Sequence, residues 1–124
     1  MPRATFGKDR RLLKSGEFQA VFESNQFRVA HSHLLLLAVP NGLSHSRLGL
    51  VVGKKNVPKA VERNRIKRVV RETFRLSQLP QSVDVIFLAR KGVDQLSSSQ
   101  QGLLLNKSWG RLSRRIESMG RPND

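Results

Sequence analysis

The apolar positions of this 124-residue chain change period several times. Phe18, Val21 and Phe22 recur at i, i+3 and i+4, one narrow helical face, and Ser15 is placed to cap a helix through about Ser24. From Phe27 the period shortens. Phe27 and Val29 alternate with polar neighbours, and Leu34 to Val39 is a continuous apolar run, the pattern of a strand covered on both faces. Phe27 to Val39 therefore predicts two strands or a bent strand pair, closed by the turn Pro40-Asn41-Gly42. A further strand, Arg47 to Gly53, sets Leu48, Leu50 and Val52 on one side. Gly49, Val51 and Gly53 lie on the other, where paired glycines admit a backbone or a ligand. Pro58 suits the first turn of a helix running to about Leu76 and ending before Pro80. Val83, Val85, Phe87 and Ala89 share a face of the next strand. Ser97-Ser98-Ser99 offers caps for a last helix whose stripe is Leu105, Trp109, Leu112 and Ile116.

The order α-β-β-β-α-β-α predicts an α+β sandwich, three helices covering a four-stranded, mostly antiparallel sheet. The unit from Arg47 to Ala89 is a candidate parallel crossover. The pattern divides the chain into a basic arm over residues 1–14, a single domain over 15–119 and a frayed tail over 120–124.

Composition changes this picture in one respect. Lys and Arg total 23 against 9 Asp and Glu, a net charge of +14. Self-repulsion on that scale costs stability, so it points to a polyanionic partner. Cysteine is absent, which excludes a disulfide scaffold, a Cys-ligated zinc module and a thiol nucleophile. The N-terminal residues carry no apolar run of signal-peptide type, and Leu34 to Val39 is too short to span a bilayer. A bacterial cytoplasm is the expected compartment.

The charge concentrates between Lys59 and Arg75. Lys59, Arg63, Arg65, Lys67, Arg68, Arg71 and Arg75 are opposed only by Glu62 and Glu72. On a helical wheel Ile66, Val69, Val70, Thr73 and Phe74 form one face. Asn64, Lys67, Arg68, Arg71 and Arg75 form the other, with Arg63 and Arg65 on the two borders. A merely solvated face mixes charges and uses i,i+4 acid–base pairs. Here arginine dominates, and its planar fork suits phosphates and base stacking. An interfacial membrane helix would need a broader exposed apolar face. No helix-turn-helix spacing or zinc ligand set accompanies the segment to suggest DNA.

The residues around this helix resemble a known family. Arg47-Leu48-Gly49-Leu50-Val51-Val52-Gly53-Lys54-Lys55, followed by Ala60-Val61-Glu62-Arg63-Asn64-Arg65-Ile66-Lys67-Arg68, is similar to the protein subunit of bacterial ribonuclease P. Arg63-Asn64-Arg65 matches the family's Arg-Asn-Arg motif, with the lysine pair at the family's spacing. Arg11-Leu12 with Phe18-Gln19-Ala20-Val21-Phe22 resembles its first helix, and Val85 to Gly92 its last strand. The resemblance covers about Phe6 to Ile116. It departs where Leu35, Leu36 and Leu37 stand in a strand that often carries an aromatic.

The resemblance implies a ribonucleoprotein endonuclease in which a large RNA performs Mg2+-dependent removal of the 5′ leader from precursor tRNA. It implies no catalytic group and no metal ligand on this chain, the Mg2+ lying at the RNA active site. Lys54, Lys55, Arg63, Asn64, Arg65, Lys67, Arg68 and Arg71 would contact the catalytic RNA. Phe18, Phe22, Arg11, Arg90 and Lys91 would line a cleft for the leader. The implied partners are the catalytic RNA and precursor tRNA, without DNA or membrane. The implied fold includes a left-handed β-α-β crossover, against the general rule.

The remaining chemistry is thin. The nine acids are scattered without a close cluster in sequence. His31 and His33, two apart, would share a strand face but lack a third zinc ligand, and His45 falls in a turn. Gly53-Lys54-Lys55 lacks the glycine and Ser/Thr of a phosphate loop. A ribonuclease P subunit, another RNA-binding protein of related fold and an autonomous nuclease are the readings in contention.

Overall fold

The computed structural model describes residues 15–120, with side chains as far as Ser118. The elements are α1 (Ser15–Ser24), β1 (Phe27–Ala30), β2 (Leu34–Pro40), β3 (Arg47–Val51), α2 (Ala60–Leu76), β4 (Val83–Ala89), a 3-10 turn (Val93–Gln95) and α3 (Ser98–Gly120). The expected arm over residues 1–14 and all but the first residue of the expected tail lie outside the described residues.

The strands lie in the order β1-β2-β4-β3. β1–β2 and β2–β4 are antiparallel; β3–β4 is parallel. Parallel neighbours need a crossover, and α2 supplies it. The sheet is thus mostly antiparallel, as expected.

The apolar run of β2 is covered on both faces. Leu34, Leu36 and Ala38 join Leu48, Val85 and Phe87 in a large core beneath α2 (Ile66, Val70, Phe74) and α3 (Leu105, Trp109, Leu112, Ile116). Leu37 and Ile86 face the other way, against Val21 of α1. One short helix cannot roof four strands. Phe18, Leu35, Val51 and Leu88 around that second cluster are therefore only partly buried.

α2 and α3 are tied together by chemistry as well as packing. Trp109 Nε1 donates to Thr73 Oγ1 at 2.9 Å, and the Phe74 and Trp109 rings lie 5.4 Å apart. Of Ser97, Ser98 and Ser99, the last two open α3 and the first is the cap. Its Oγ accepts from the Gln100 amide at 3.1 Å, while Gln100 Oε1 accepts from the Ser97 amide at 2.8 Å, a reciprocal capping box.

Three local expectations change. β3 stops at Val51, because the chain leaves the sheet to make the turn Lys54–Asn56, closed by the Val57 amide donating to Gly53 O at 2.9 Å. A Cβ at Gly53 would meet open space, so no close approach is made there. α2 starts at Ala60, with Lys59 still extended. With Lys59 as the extended cap, Pro58 lies ahead of the helix and not in its first turn, and Val57 before it is fully buried. His31 and His33 lie in the β1–β2 turn and not on a strand; the His31 amide donates to Leu34 O at 2.9 Å and the His33 amide to His31 Nδ1 at 3.0 Å.

Candidate nucleic-acid interface

The wheel drawn from sequence matches the burial of α2. Ile66, Val70, Thr73 and Phe74 are buried and Val69 packs partly against the core. Asn64 and Arg68 are exposed; Lys67 and Arg71 are half-exposed. Both acids of the helix are used locally, Glu62 by Arg65 and Glu72 by Arg75. Neither sits on Arg68, so the outer face keeps its positive charge.

The border arginines behave differently from the outer ones. Arg63 Nη1 donates to the carbonyls of Val57 and Pro58, at 3.0 and 2.7 Å. Arg65 pairs with Glu62 and reaches the α3 entry, donating to Leu96 O at 3.2 Å and Ser98 Oγ at 3.2 Å. Within Arg63-Asn64-Arg65, then, the two guanidinium groups brace the flanks of α2 and Asn64 points outward.

The lysine turn is held just as firmly. Asn56 Nδ2 donates to Ala89 O at 3.0 Å and Val57 plugs the core, leaving Lys54 and Lys55 exposed. A rigid turn presents these cations at the entry to α2 at little ordering cost.

The second candidate surface is the partly roofed sheet face. Register places Arg28, Leu37, Ile86 and Gly49 in one row across the four strands, and Ala30, Leu35, Leu88 and Val51 in the next. Gly49 contributes no side chain to this floor and is itself buried, so the partly exposed part of the face is the row of Ala30, Leu35, Leu88 and Val51. Phe18 is half-buried over this floor, whereas Phe22 is 44% exposed and not core. Arg90 is half-buried at the end of β4, its Nη1 donating to His31 O at 3.0 Å, and Lys91 is exposed. Arg11 lies outside the described residues.

A protein-family model described as Ribonuclease P matches residues 6–113. The chain belongs to the ribonuclease P protein family. A ribonuclease P protein component of Pseudomonas paraeruginosa is 46% identical over 120 residues, covering 96% of this chain and 89% of the relative. One from Stutzerimonas stutzeri is 49% identical over 110 residues, covering 88% and 84%. The RNase P protein of Staphylococcus aureus superposes with a TM-score of 0.71 at 28% identity, covering 87% of this chain and 95% of that one. That of Thermotoga maritima, in complex with 1-(4-fluorophenyl)-2-thiourea, gives 0.69 at 31%, covering 80% and 97%.

Within this ribonuclease P fold the predicted site residues fall into separate groups. Lys54, Lys55, Arg63, Asn64, Arg65, Lys67, Arg68 and Arg71 belong to the crossover; Phe18 and Phe22 belong to α1 on the opposite face of the sheet, and Arg90 and Lys91 follow β4. Sequence reasoning missed Arg28, an exposed cation beside Leu37. Its alternation with Phe27 and Val29 was the available signal. It also missed Lys107, Arg111, Arg114 and Arg115, all exposed on α3 at i, i+4, i+7 and i+8, a spacing that sets them opposite the apolar stripe of that helix. Among the described residues no three His, Asp or Glu side chains gather as a metal-holding group, and no helix is long and apolar enough to cross a membrane.

Proposed function

We propose that this chain is the protein component of a bacterial ribonuclease P and assists RNA-catalysed removal of the 5′ leader from precursor tRNA in the cytoplasm. In this reading the outer face of α2, with Lys54 and Lys55 at its entry, docks on the catalytic RNA. Phosphate neutralisation there releases counterions and makes docking strongly salt-dependent. The partly roofed sheet face holds the leader, whose unpaired bases suit Phe18 and Phe22. Arg28, Arg90 and Lys91 lie within the charge this strand would meet, and Arg11 of the N-terminal arm joins them in this reading.

The observation that carries the proposal is the division of labour on α2. Both of its acids are spent on the border and end arginines, Glu62 on Arg65 and Glu72 on Arg75, while Asn64 and Arg68 face outward. Elsewhere Glu17 and Asp84 are paired with Arg47. The described carboxylates do not fit a magnesium site, so the reading assigns Mg2+ and bond cleavage to the RNA partner and routes no step through this chain.

Reconstitution tests it. Precursor tRNA is incubated at low magnesium with the protein, with a bacterial ribonuclease P RNA, and with both. Leader removal only by the mixture supports the proposal. Cleavage by the protein alone overturns the assignment of chemistry to RNA, and a mixture no better than the RNA overturns the assisting role.

A further inference from the structure

α3 carries a second cationic surface, on its flank away from α2. The α2-facing flank is marked by Asn106, Gly110 and Ser113, which line a small cleft with Thr73 and Leu76. The opposite flank faces the β1–β2 turn across a cavity of about 370 Å3, lined by His31, His33, Leu103, Leu104, Lys107 and Arg111. Leu103 is 65% exposed, an apolar surface at the cavity that the fold does not use.

The two imidazoles are held in place. Their centroids lie 5.4 Å apart at an interplanar angle of 49°. Arg90 holds the His31 carbonyl. The His33 ring lies against Gly92, where a Cβ would stand 3.1 Å from its Cε1. Burial first, then the charges of His33 and Arg111, push the His31 pKa down, so its ring is neutral at pH 7 and offers a π face. Lys107 and Arg111 stand one turn apart beside these rings, and Arg115 continues the charge along the helix, while the Arg114 guanidinium turns back towards Gly110. From Lys107 to Arg115 the track is ~12 Å long, longer than a single phosphate needs.

We propose that this cavity is a second RNA site: one unpaired base of a single-stranded segment lies on the histidine pair against Leu103, and the adjoining phosphates run along Lys107, Arg111 and Arg115. A concave stacking surface is reached by an unpaired base and not by a duplex, and aromatic faces beside a cationic track are the combination that single strands use. The site lies on neither the outer face of α2 nor the α1-side cleft. It goes beyond the ribonuclease P reading and does not depend on it.

The test uses the full-length chain and a fluorescein-labelled, unstructured RNA decamer containing 4-thiouridine. Anisotropy titrations compare wild type, Lys107→Ala/Arg111→Ala, Leu103→Ala and Arg68→Ala. The double variant should bind at least about fivefold more weakly, with the salt slope reduced by about 1.4 for two lost single-strand phosphate contacts. Leu103→Ala should weaken binding with the slope unchanged. Photocrosslinks should fall on the β1–β2 turn and α3 and survive Arg68→Ala, and the RNA should shift the His31 ring resonances but not those of His45. Circular dichroism confirms folding of each variant. Unchanged affinity in both the double variant and Leu103→Ala, or crosslinks confined to α1 and α2, overturns the site. Failure of the reconstitution would overturn the ribonuclease P reading and leave these outcomes standing.

Discussion

Arg47 faces Asp84 across the parallel pair of β3 and β4, donating from Nε at 2.8 Å and from Nη2 at 2.7 Å to the two carboxylate oxygens. Its remaining nitrogen, Nη1, reaches Glu17 of α1 at 2.6 Å. The bond to Asp84 raises the Arg47 pKa above its ordinary value, so this guanidinium is charged at every working pH. Asn41 Nδ2 also donates to Asp84 Oδ1, at 2.9 Å. One arginine thereby ties α1 to β3 and β4, beside the packing of Val21 on Leu37 and Ile86.

Removing Arg47 strands the nearly buried Asp84 charge. Arg47→Ala should cost about 2–3 kcal/mol in urea unfolding, the range for losing charge-assisted bonds at a partly buried carboxylate. In a reconstituted holoenzyme the variant should lose affinity for precursor tRNA more than for mature tRNA. Equal losses for both would disconnect this network from the leader cleft.

Arg65 and Arg68 should separate folding from docking. Arg68 is exposed, so Arg68→Ala should leave the unfolding midpoint almost unchanged, weaken binding to the catalytic RNA and lower the salt slope by about 1. Arg65 bonds Glu62 and the entry to α3, so Arg65→Ala should cost about 1–2 kcal/mol of stability as well. An Arg65 variant as stable as wild type would show that those bonds contribute nothing to the fold.

Thr73 is the buried partner of the Trp109 indole N–H. Thr73→Val keeps the volume and removes the acceptor, so it should cost about 1–3 kcal/mol by leaving that donor unpaired. Tryptophan fluorescence during thermal melting reads the loss. A midpoint within error of wild type would mean that the indole finds another acceptor.

Gly92 combines a φ of +96° with the His33 ring against its open side. An alanine there carries the left-handed backbone penalty of about 1–2 kcal/mol and must also displace the imidazole. Gly92→Ala should lower stability by at least that amount and shift the His33 ring resonances. An unshifted ring would disprove the contact.

His31 gives a pH dependence of defined sign. Its pKa is lowered in the folded chain, by burial first and then by His33 and Arg111, with Lys107 also lining that cavity. Between the folded pKa and the ordinary value of about 6.5 the unfolded chain binds more protons. The neutral-imidazole contribution is therefore complete above about 6.5 and is lost as pH falls through that window. Urea midpoints of wild type should fall relative to His31→Asn below about pH 6.5 and run parallel to it above. Parallel curves throughout would refute the shift.

The sequence by itself determined the elements, their order and which face of each helix enters the core. Those are local properties, because apolar spacing of i, i+3, i+4 or i, i+2 acts through helix and strand geometry alone. The stripe Leu105, Trp109, Leu112 and Ile116 and the face Ile66, Val70, Thr73 and Phe74 are buried as their spacing requires. The outward cationic face of α2 was legible for the same reason.

Tertiary structure decided the strand order and the destination of each long side chain. Nothing local states that β4 inserts between β2 and β3, or that Arg47 meets Asp84 37 residues away and Glu17 30 residues away. Arginine near a helix border can turn to solvent or to a neighbouring element, and only the position of the α3 entry turns Arg65 inward. The histidines separated by one residue read as strand partners until the hairpin placed them in its turn, facing a helix more than sixty residues further along the chain. Long-range packing selects among orientations that backbone periodicity leaves equally open, and both candidate RNA surfaces beyond α2 depend on that selection.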